Sequence, residues 1–303
     1  MIIRLSFLLY TFLISFFSFS QQHDKKLLNK LTELIKPFHG DVALYVKNLN
    51  TGKIVSINAD SVCSTASLVK IPILIGIMDK INRGGLEFHQ QIIYNDSLLY
   101  PGVDILGSFK NGEKIELSKL IMLMMTMSDN TASRYLQMLA GTGTRINAIL
   151  DSLGYSVTRV NSKTPGRDAI WEKYGWGQTT PREMATLLES IYEGRIISEA
   201  ASSRMIRIIN RNYWDAEAVS QIPPYATVFS KSGALDAYRS EVVLVRGVSS
   251  AYVFCIITSN NADTSWTYNN EAWKLIRSVS NLLWNYFEPR HQWKLPEGSE
   301  KFY

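Results

Sequence analysis

Strand-like patterns lie towards the two ends of this chain, with helical patterns between them, and that division limits the fold more than any other feature. Val42 to Val46 and Ile54 to Ile57 are apolar, β-prone runs on either side of the turn-forming stretch Asn48 to Gly52. Near the other end Val228 to Ala234 reads as a strand, and Glu241 to Arg246 with Ala251 to Thr258 reads as a hairpin across Gly247 to Ser250. The intervening sequence has a helical period over Leu117 to Met127, Thr131 to Leu139, Arg145 to Leu153 and Ser198 to Ile209. Thr180-Pro181-Arg182-Glu183 has the form of a capping box with proline at the first helical position, opening a helix that runs to Gly194. Amphipathic helices stand at both ends, Lys25 to Phe38 and Asn269 to Phe287. The expectation is a mixed α/β (α+β) fold: an antiparallel five-stranded sheet drawn from both chain ends, flanked by helices, with an all-helical insertion. In domain terms, 21–66 and 211–303 form the sheet domain, 67–210 the helical domain, and a site lies between them.

Composition narrows the functional classes. The chain has 303 residues, 46% hydrophobic and 19% charged, as in a soluble globular protein. Its net charge of +5 comes from scattered lysines and arginines with no run of five, so a nucleic-acid partner is not expected. Residues 1–20 read as a signal peptide: Arg4, an apolar run from Leu5 to Phe17, and small residues at Ser18 and Ser20. The mature protein is expected to begin near Gln21 and to be exported, periplasmic or extracellular, without a stable membrane anchor. A retained N-terminal anchor is the alternative. The four histidines show no metal-ligand spacing, and none lies by a nucleophile-elbow motif. Neither a metal nor any other cofactor is expected. Cys63 and Cys255 both sit in apolar, strand-like surroundings, where a disulfide and two buried free thiols are both open.

Ser67 and Lys70 stand three apart where a buried helix begins, with Leu68, Ile71, Leu74, Ile75 and Met78 continuing at helical spacing and Pro72 in the second turn. Residues three apart share a helix face, so hydroxyl and amine would point the same way. A serine becomes a nucleophile beside a base, and a lysine becomes a base when burial lowers its pKa. Taken alone, the pair is no more than a helix opening on a serine with an exposed lysine one turn on. Ser128-Asp129-Asn130 ends a methionine-rich apolar helix, and Lys231-Ser232-Gly233 ends a strand. Each of these is ordinary by itself, as an inter-helix turn with a cap and as a strand terminus.

The three motifs in this order are SxxK, SDN and KTG with serine for threonine. On them, and over nearly the whole mature chain, the sequence resembles class A β-lactamases, within the broader group of penicillin-binding acyltransferases. The resemblance implies that Ser67 is acylated, Lys70 is its base, Ser128 relays a proton to the departing nitrogen, and Lys231 supplies positive potential. It implies substrate-binding roles for Asn130, Ser232 (substrate carboxylate), Gly233, Ala234 and Tyr100. It also implies an oxyanion hole from the Ser67 and Ala234 amides, and a second carboxylate-binding arginine at Arg239. The partner would be a small β-lactam or a peptidoglycan stem peptide, met by a monomer.

One stretch departs from the family. Arg159 to Thr179 is a long loop without periodicity, kept from disorder by Trp171, Tyr174 and Trp176. Counting from Arg159 or Pro181, the family's deacylating glutamate falls on Thr164, and a later asparagine falls on Asp168. The helical asparagine that braces the loop falls on Arg134, and the loop's usual salt bridge falls on Ser162 and Gly177. A threonine hydroxyl is no general base at neutral pH. Either Asp168 substitutes, or deacylation is slow; Glu172 is a third carboxylate in the loop. The matched changes predict an Arg134–Asp168 ion pair. The implied activity is β-lactam hydrolysis with an unusual second half-reaction. The alternatives are a D-alanyl-D-alanine peptidase of the same fold and a sensor acylated once.

Overall fold

The computed structural model describes residues 22–100 and 102–302, so the proposed signal peptide lies outside the described residues. The chain runs α1 (Lys25–Ile35), β1 (Asp41–Asn48), β2 (Ile54–Ile57), β3 (Cys63–Ser64), a 3-10 turn (Ala66–Val69) and α2 (Lys70–Asn82). It continues with β4 (Gln91–Ile93), β5 (Lys114–Glu116), α3 (Leu117–Thr126), α4 (Asn130–Leu139), α5 (Thr142–Ser152) and β6 (Arg159–Val160). Then come α6 (Asp168–Tyr174), β7 (Gly177–Thr179), α7 (Pro181–Tyr192) and α8 (Glu199–Ile209). The chain closes with β8 (Thr227–Leu235), β9 (Tyr238–Arg246), β10 (Ala251–Ser259) and α9 (Glu271–Phe287). The main sheet has the order β2-β1-β10-β9-β8 and is antiparallel throughout, so the two chain ends do share one five-stranded sheet.

Both faces of the sheet are covered, which is why β9 and β10 are buried nearly continuously rather than at alternate residues. Leu44, Val46, Val243, Val245, Phe254 and Ile256 face a cluster completed by Leu27 and Leu31 of α1 and by Ile276, Val279 and Leu283 of α9. The alternate residues Ala43, Tyr45, Val242, Leu244, Val253 and Cys255 join the larger cluster with α2, α3, α4 and α7. Helix α2 runs through that cluster, with every residue from Lys70 to Met78 buried. Burial on all sides accounts for its lack of a polar stripe. Gly76 lets it come that close: a Cβ there would lie 2.7 Å from Ile146 and 3.0 Å from Ala140. Cys63 and Cys255 are both buried and free.

Three local expectations change. Ser67 lies inside the 3-10 turn, and the α-helix begins only at Lys70. Pro72 therefore falls in the first turn of α2 rather than the second, where its missing N–H has no intrahelical partner to lose. The segment Arg159 to Thr179 holds the short strands β6 and β7 and the helix α6; β7 pairs with β3, which ties the segment to the strand just before Ser67. The capping box at Thr180 is half made. Thr180 accepts from the Glu183 amide at 3.1 Å. Glu183 instead accepts from the backbone of Val157 and Thr158, clamping α7 to the chain after α5.

Candidate active site

The two hydroxyl-bearing turns are backbone-strained. Ala66, just before Ser67, has φ +44, and Ser128 has φ +61, a region L-residues seldom adopt. Ser128 is held there because Asp129 caps α4: its Oδ1 accepts from the Ala132 amide at 2.7 Å. The other carboxylate oxygen accepts from the amides of Ile105 and Leu106 at 2.6 and 2.9 Å, binding the 102–106 segment to the same turn. That segment forms one lip of the cleft, and the Asn130 amide donates to Val103 O at 2.8 Å. On the other side Gly233 brings β8 against the Ser67 turn. A Cβ on Gly233 would stand 2.9 Å from Ser67 N and 3.0 Å from Thr65 O, so only glycine fits.

These constraints assemble a continuous polar chain. Lys70 Nζ lies 3.0 Å from Ser67 Oγ, 2.9 Å from Ser128 Oγ, 2.9 Å from Asn130 Oδ1 and 2.5 Å from Ser128 O. Lys231 Nζ lies 3.0 Å from the same Ser128 Oγ and donates to Ser232 O at 2.9 Å. Both lysines are fully buried, whereas Ser67 is partly open to the cleft. Burial, and secondarily the charge of Lys231, pushes the Lys70 amine well below its usual range; Asp129 pulls the other way. Burial brings Lys231 down to about 7, partly offset by the attraction of Glu241. A lysine free of its proton beside a serine hydroxyl can remove that proton. A second hydroxyl shared by both lysines can pass one on.

The remaining candidates are placed less as expected. Ser232, Gly233, Ala234 and Asn130 line the cavity with Ser67 and Ser128. Tyr100 does not line it: the ring lies tilted against Trp176 at 5.2 Å, with the Arg134 guanidinium 5.6 Å from its centroid. Arg239 does not line it either, and its role as a carboxylate-binding residue is corrected. The guanidinium is buried, donates to the backbone oxygens of Leu235, Asp236, Tyr238 and Ser265, and lies 4.5 Å from the ring centroids of both Trp266 and Trp273.

The Arg134–Asp168 ion pair is not formed. Arg134 lies over Tyr100, and Asp168 is exposed at the start of α6. The loop is braced instead by Gln137, one turn further along α4. Its Nε2 donates to Ser162 O at 2.6 Å and its Oε1 accepts from Trp176 Nε1 at 2.5 Å. The buried amide was readable as a polar residue on an apolar helix face, three residues from the position that sequence counting singled out. Thr164 Oγ1 donates to Val160 O and Ser162 O at 3.1 Å each and packs on Gly143 of α5, where a Cβ would stand 1.8 Å from it. Among the described residues, Glu217 is the one carboxylate lining the cavity; Asp168 and Glu172 are exposed on α6.

A family model for the beta-lactamase enzyme family matches residues 26–287. Beta-lactamase VEB-1 of Pseudomonas aeruginosa is 21% identical over 281 residues, covering 89% of this chain and 93% of that protein. The beta-lactamase regulatory protein BlaB of Streptomyces cacaoi is 29% identical over 112 residues, 37% of this chain and 36% of its own length. Among solved structures, PBP-A superposes with a TM-score of 0.78 at 24% identity, covering 89% of this chain and 98% of that one. A beta-lactamase from Sphaerobacter thermophilus superposes with a TM-score of 0.77 at 21% identity over 87% of this chain and 97% of that one.

Proposed function

We propose, from the premise that this chain belongs to the beta-lactamase enzyme family, that it is an exported serine acyltransferase in which β-lactams acylate Ser67 faster than water releases them. The observation that carries the reading is the polar chain Ser67–Lys70–Ser128–Lys231, linked at 2.9 to 3.0 Å with both amines buried. Neutral Lys70 takes the Ser67 hydroxyl proton as Oγ attacks the lactam carbonyl carbon. On this reading the amides of Ser67 and Ala234 form the oxyanion hole, and each such donor is typically worth about 10²–10³-fold in rate. The carbonyl–nitrogen bond breaks as Ser128 donates its proton to that nitrogen and recovers one from protonated Lys70. The Ser67 ester remains. Ser232 binds the substrate carboxylate, and the buried Lys231 behind it supplies positive potential.

Hydrolysis of the ester needs a base beside it, and the one carboxylate lining the cavity among the described residues, Glu217, is paired with Arg277 at 2.7 Å. Thr164, at the position we read as the family's glutamate, is turned into its own loop. A general base typically contributes about 10²–10⁴-fold, so the acyl-enzyme is expected to accumulate. This favours a second reading, a D-alanyl-D-alanine peptidase-like or β-lactam-sensing protein. It accords with a fold shared with PBP-A, a variant of which was solved as an acyl-enzyme complex with penicillin G. The test is direct. Labelling by a fluorescent penicillin should map to Ser67 by mass spectrometry and vanish in Ser67→Ala, and a chromogenic cephalosporin should give a burst of about one equivalent followed by a slow phase. Equal labelling of Ser67→Ala overturns the mechanism. Rapid turnover without a burst overturns the slow second step.

A further inference from the structure

The cavity does not end at Ser232. It has a volume of about 670 Å³, well within the range of small-molecule sites, and its lining includes a wall that the polar chain does not use. That wall is made by Trp214, Trp266, Tyr268 and Trp273, with Ala216 and Glu217. Trp266 is 58% exposed and Trp214 42%, large apolar surfaces to leave open beside a cleft. The rings are held rather than loose. Trp266 and Trp273 meet edge to face at 5.9 Å, and the Trp266 Nε1 donates to Asp236 at 2.9 Å.

The charges around the wall decide what it takes. Arg239 lies 4.5 Å from the centroids of both Trp266 and Trp273, and it is fully buried, so it backs these rings on their inward side. Arg277, 7% exposed, sits 3.9 Å from the Tyr268 centroid and pairs with Glu217 at 2.7 Å. Two guanidinium groups behind the wall disfavour a cation in front of it. No lysine or arginine among the described residues lines the cavity itself, so an anion finds no exposed partner there, and Glu217 repels it when ionised. What remains is a flat, uncharged ring stacking on Trp266 and Trp273.

We infer that this wall is a specificity subsite for a flat, uncharged aromatic group on the substrate. The inference rests on the acyl-enzyme reading for one point only. Ser232, the proposed carboxylate position, lines the same cavity as the wall, so on that reading the wall meets what the substrate carries next to its carboxylate. In a cephalosporin that is the C3 substituent.

The experiment uses three cephalosporins with one common acyl side chain and an acetoxymethyl, a styryl or a pyridiniomethyl group at C3. Acylation kinetics and tryptophan-fluorescence titration are read on the wild-type protein, Trp266→Ala and Trp266→Phe. The styryl compound should acylate with about 5–10-fold higher efficiency than the acetoxymethyl one, the scale of one or two aromatic stacking contacts. Trp266→Ala should remove that preference, Trp266→Phe should largely keep it, and the pyridiniomethyl compound should gain nothing. Labelled Ser67 with equal efficiency for all three compounds, or a preference that survives Trp266→Ala, overturns the subsite and leaves the acylation reading standing. No acylation by any compound, with tighter binding of the styryl compound that depends on Trp266, overturns the acylation reading and sustains the subsite. A preference for the pyridiniomethyl compound overturns the charge argument and with it the proposal.

Discussion

Lys70 makes four polar contacts through one nitrogen, and their chemistry limits its protonation state. Ser128 O can only accept, and Asn130 Oδ1 likewise, so two N–H bonds are committed. A neutral amine then has one lone pair left, facing the hydroxyls of Ser67 and Ser128. Because burial and Lys231 hold Lys70 well below its usual range, acylation should not need alkaline pH. The rate should be flat through neutrality and fall on the acid side as Lys70 gains a proton, which stopped-flow acylation across pH will show. A rate that climbs steadily towards pH 10 would place the proton on Lys70 and refute its role as base. The second residue to test is Thr164. Its hydroxyl is directed to Val160 O and Ser162 O and its side chain against Gly143, so a glutamate there would have to break these contacts before its carboxylate could serve the Ser67 ester. Thr164→Glu alone is expected to shorten the acyl-enzyme lifetime by less than about tenfold, against the 10²–10⁴ of an effective base. It should also lower the melting temperature, since it forces a carboxylate into a buried, closely packed position. Acyl-enzyme decay followed by intact mass checks the first claim and thermal unfolding the second.

The element on which the proposed slow second half-reaction turns is the segment from Arg159 to Thr179, and its brace is Gln137. Gln137→Ala would leave Ser162 O and Trp176 Nε1 without their partner, at about 1–3 kcal/mol for each group left unsatisfied. Arg134→Ala removes only a contact over Tyr100, worth about 0.5–1 kcal/mol at a partly exposed site. Hydrogen exchange of residues 161–176 should therefore accelerate markedly in Gln137→Ala and little in Arg134→Ala; the reverse order would restore Arg134 as the brace. The contrast also marks where sequence reasoning stopped. Counting along the chain found the right helix, α4, and the right segment, because both are anchored by motifs at their ends. It chose Arg134 and Asp168 because opposite charges suggest a pair. A neutral amide bridging a carbonyl and an indole leaves no such charge signature. The short strands β6 and β7 were hidden for a related reason: two or three residues carry too little alternation to read, and their partner β3 is remote in sequence.

At the scale of the molecule, the sheet was legible because its five strands are apolar and bounded by turn residues, and because helices cover both its faces. The polar chain was legible because its members sit at element ends, where the backbone fixes their direction. Arg239 was misread because sequence shows its charge but not the carbonyls and indoles that surround it. Also unseen were the carboxylates Glu217 and Glu241, which together with the two buried lysines govern how stability varies with pH. Burial raises Glu241 to about 8, helped by Glu217 and Asp215 and opposed by the Ala218 amide and Lys231; burial raises Glu217 to about 7 against the pull of Arg277. Burial lowers Lys231 to about 7 and pushes Lys70 well below the ordinary lysine range. The acids bind protons more tightly when folded than when unfolded, where they titrate near the ordinary carboxylate range. Their contribution is present below about pH 4.5 and is lost as pH rises through 7 to 8. Both lysines bind protons less tightly when folded, and the contribution of Lys231 rises with pH from about 7 towards the ordinary lysine range near 10.5. The two trends oppose each other, and together they predict a shallow minimum of stability between about pH 7 and 8. Glu241→Gln removes the larger acid contribution while keeping a polar group that can accept from the Ala218 amide, as Glu241 Oε2 does at 2.9 Å. Melting temperature measured from pH 5 to 10 should dip near neutrality in the wild-type protein, and Glu241→Gln should flatten the acid side of the dip while leaving the alkaline rise. A wild-type curve that peaks at pH 7 to 8 would mean that Lys231 and Glu241 are held as a charged pair in the folded protein.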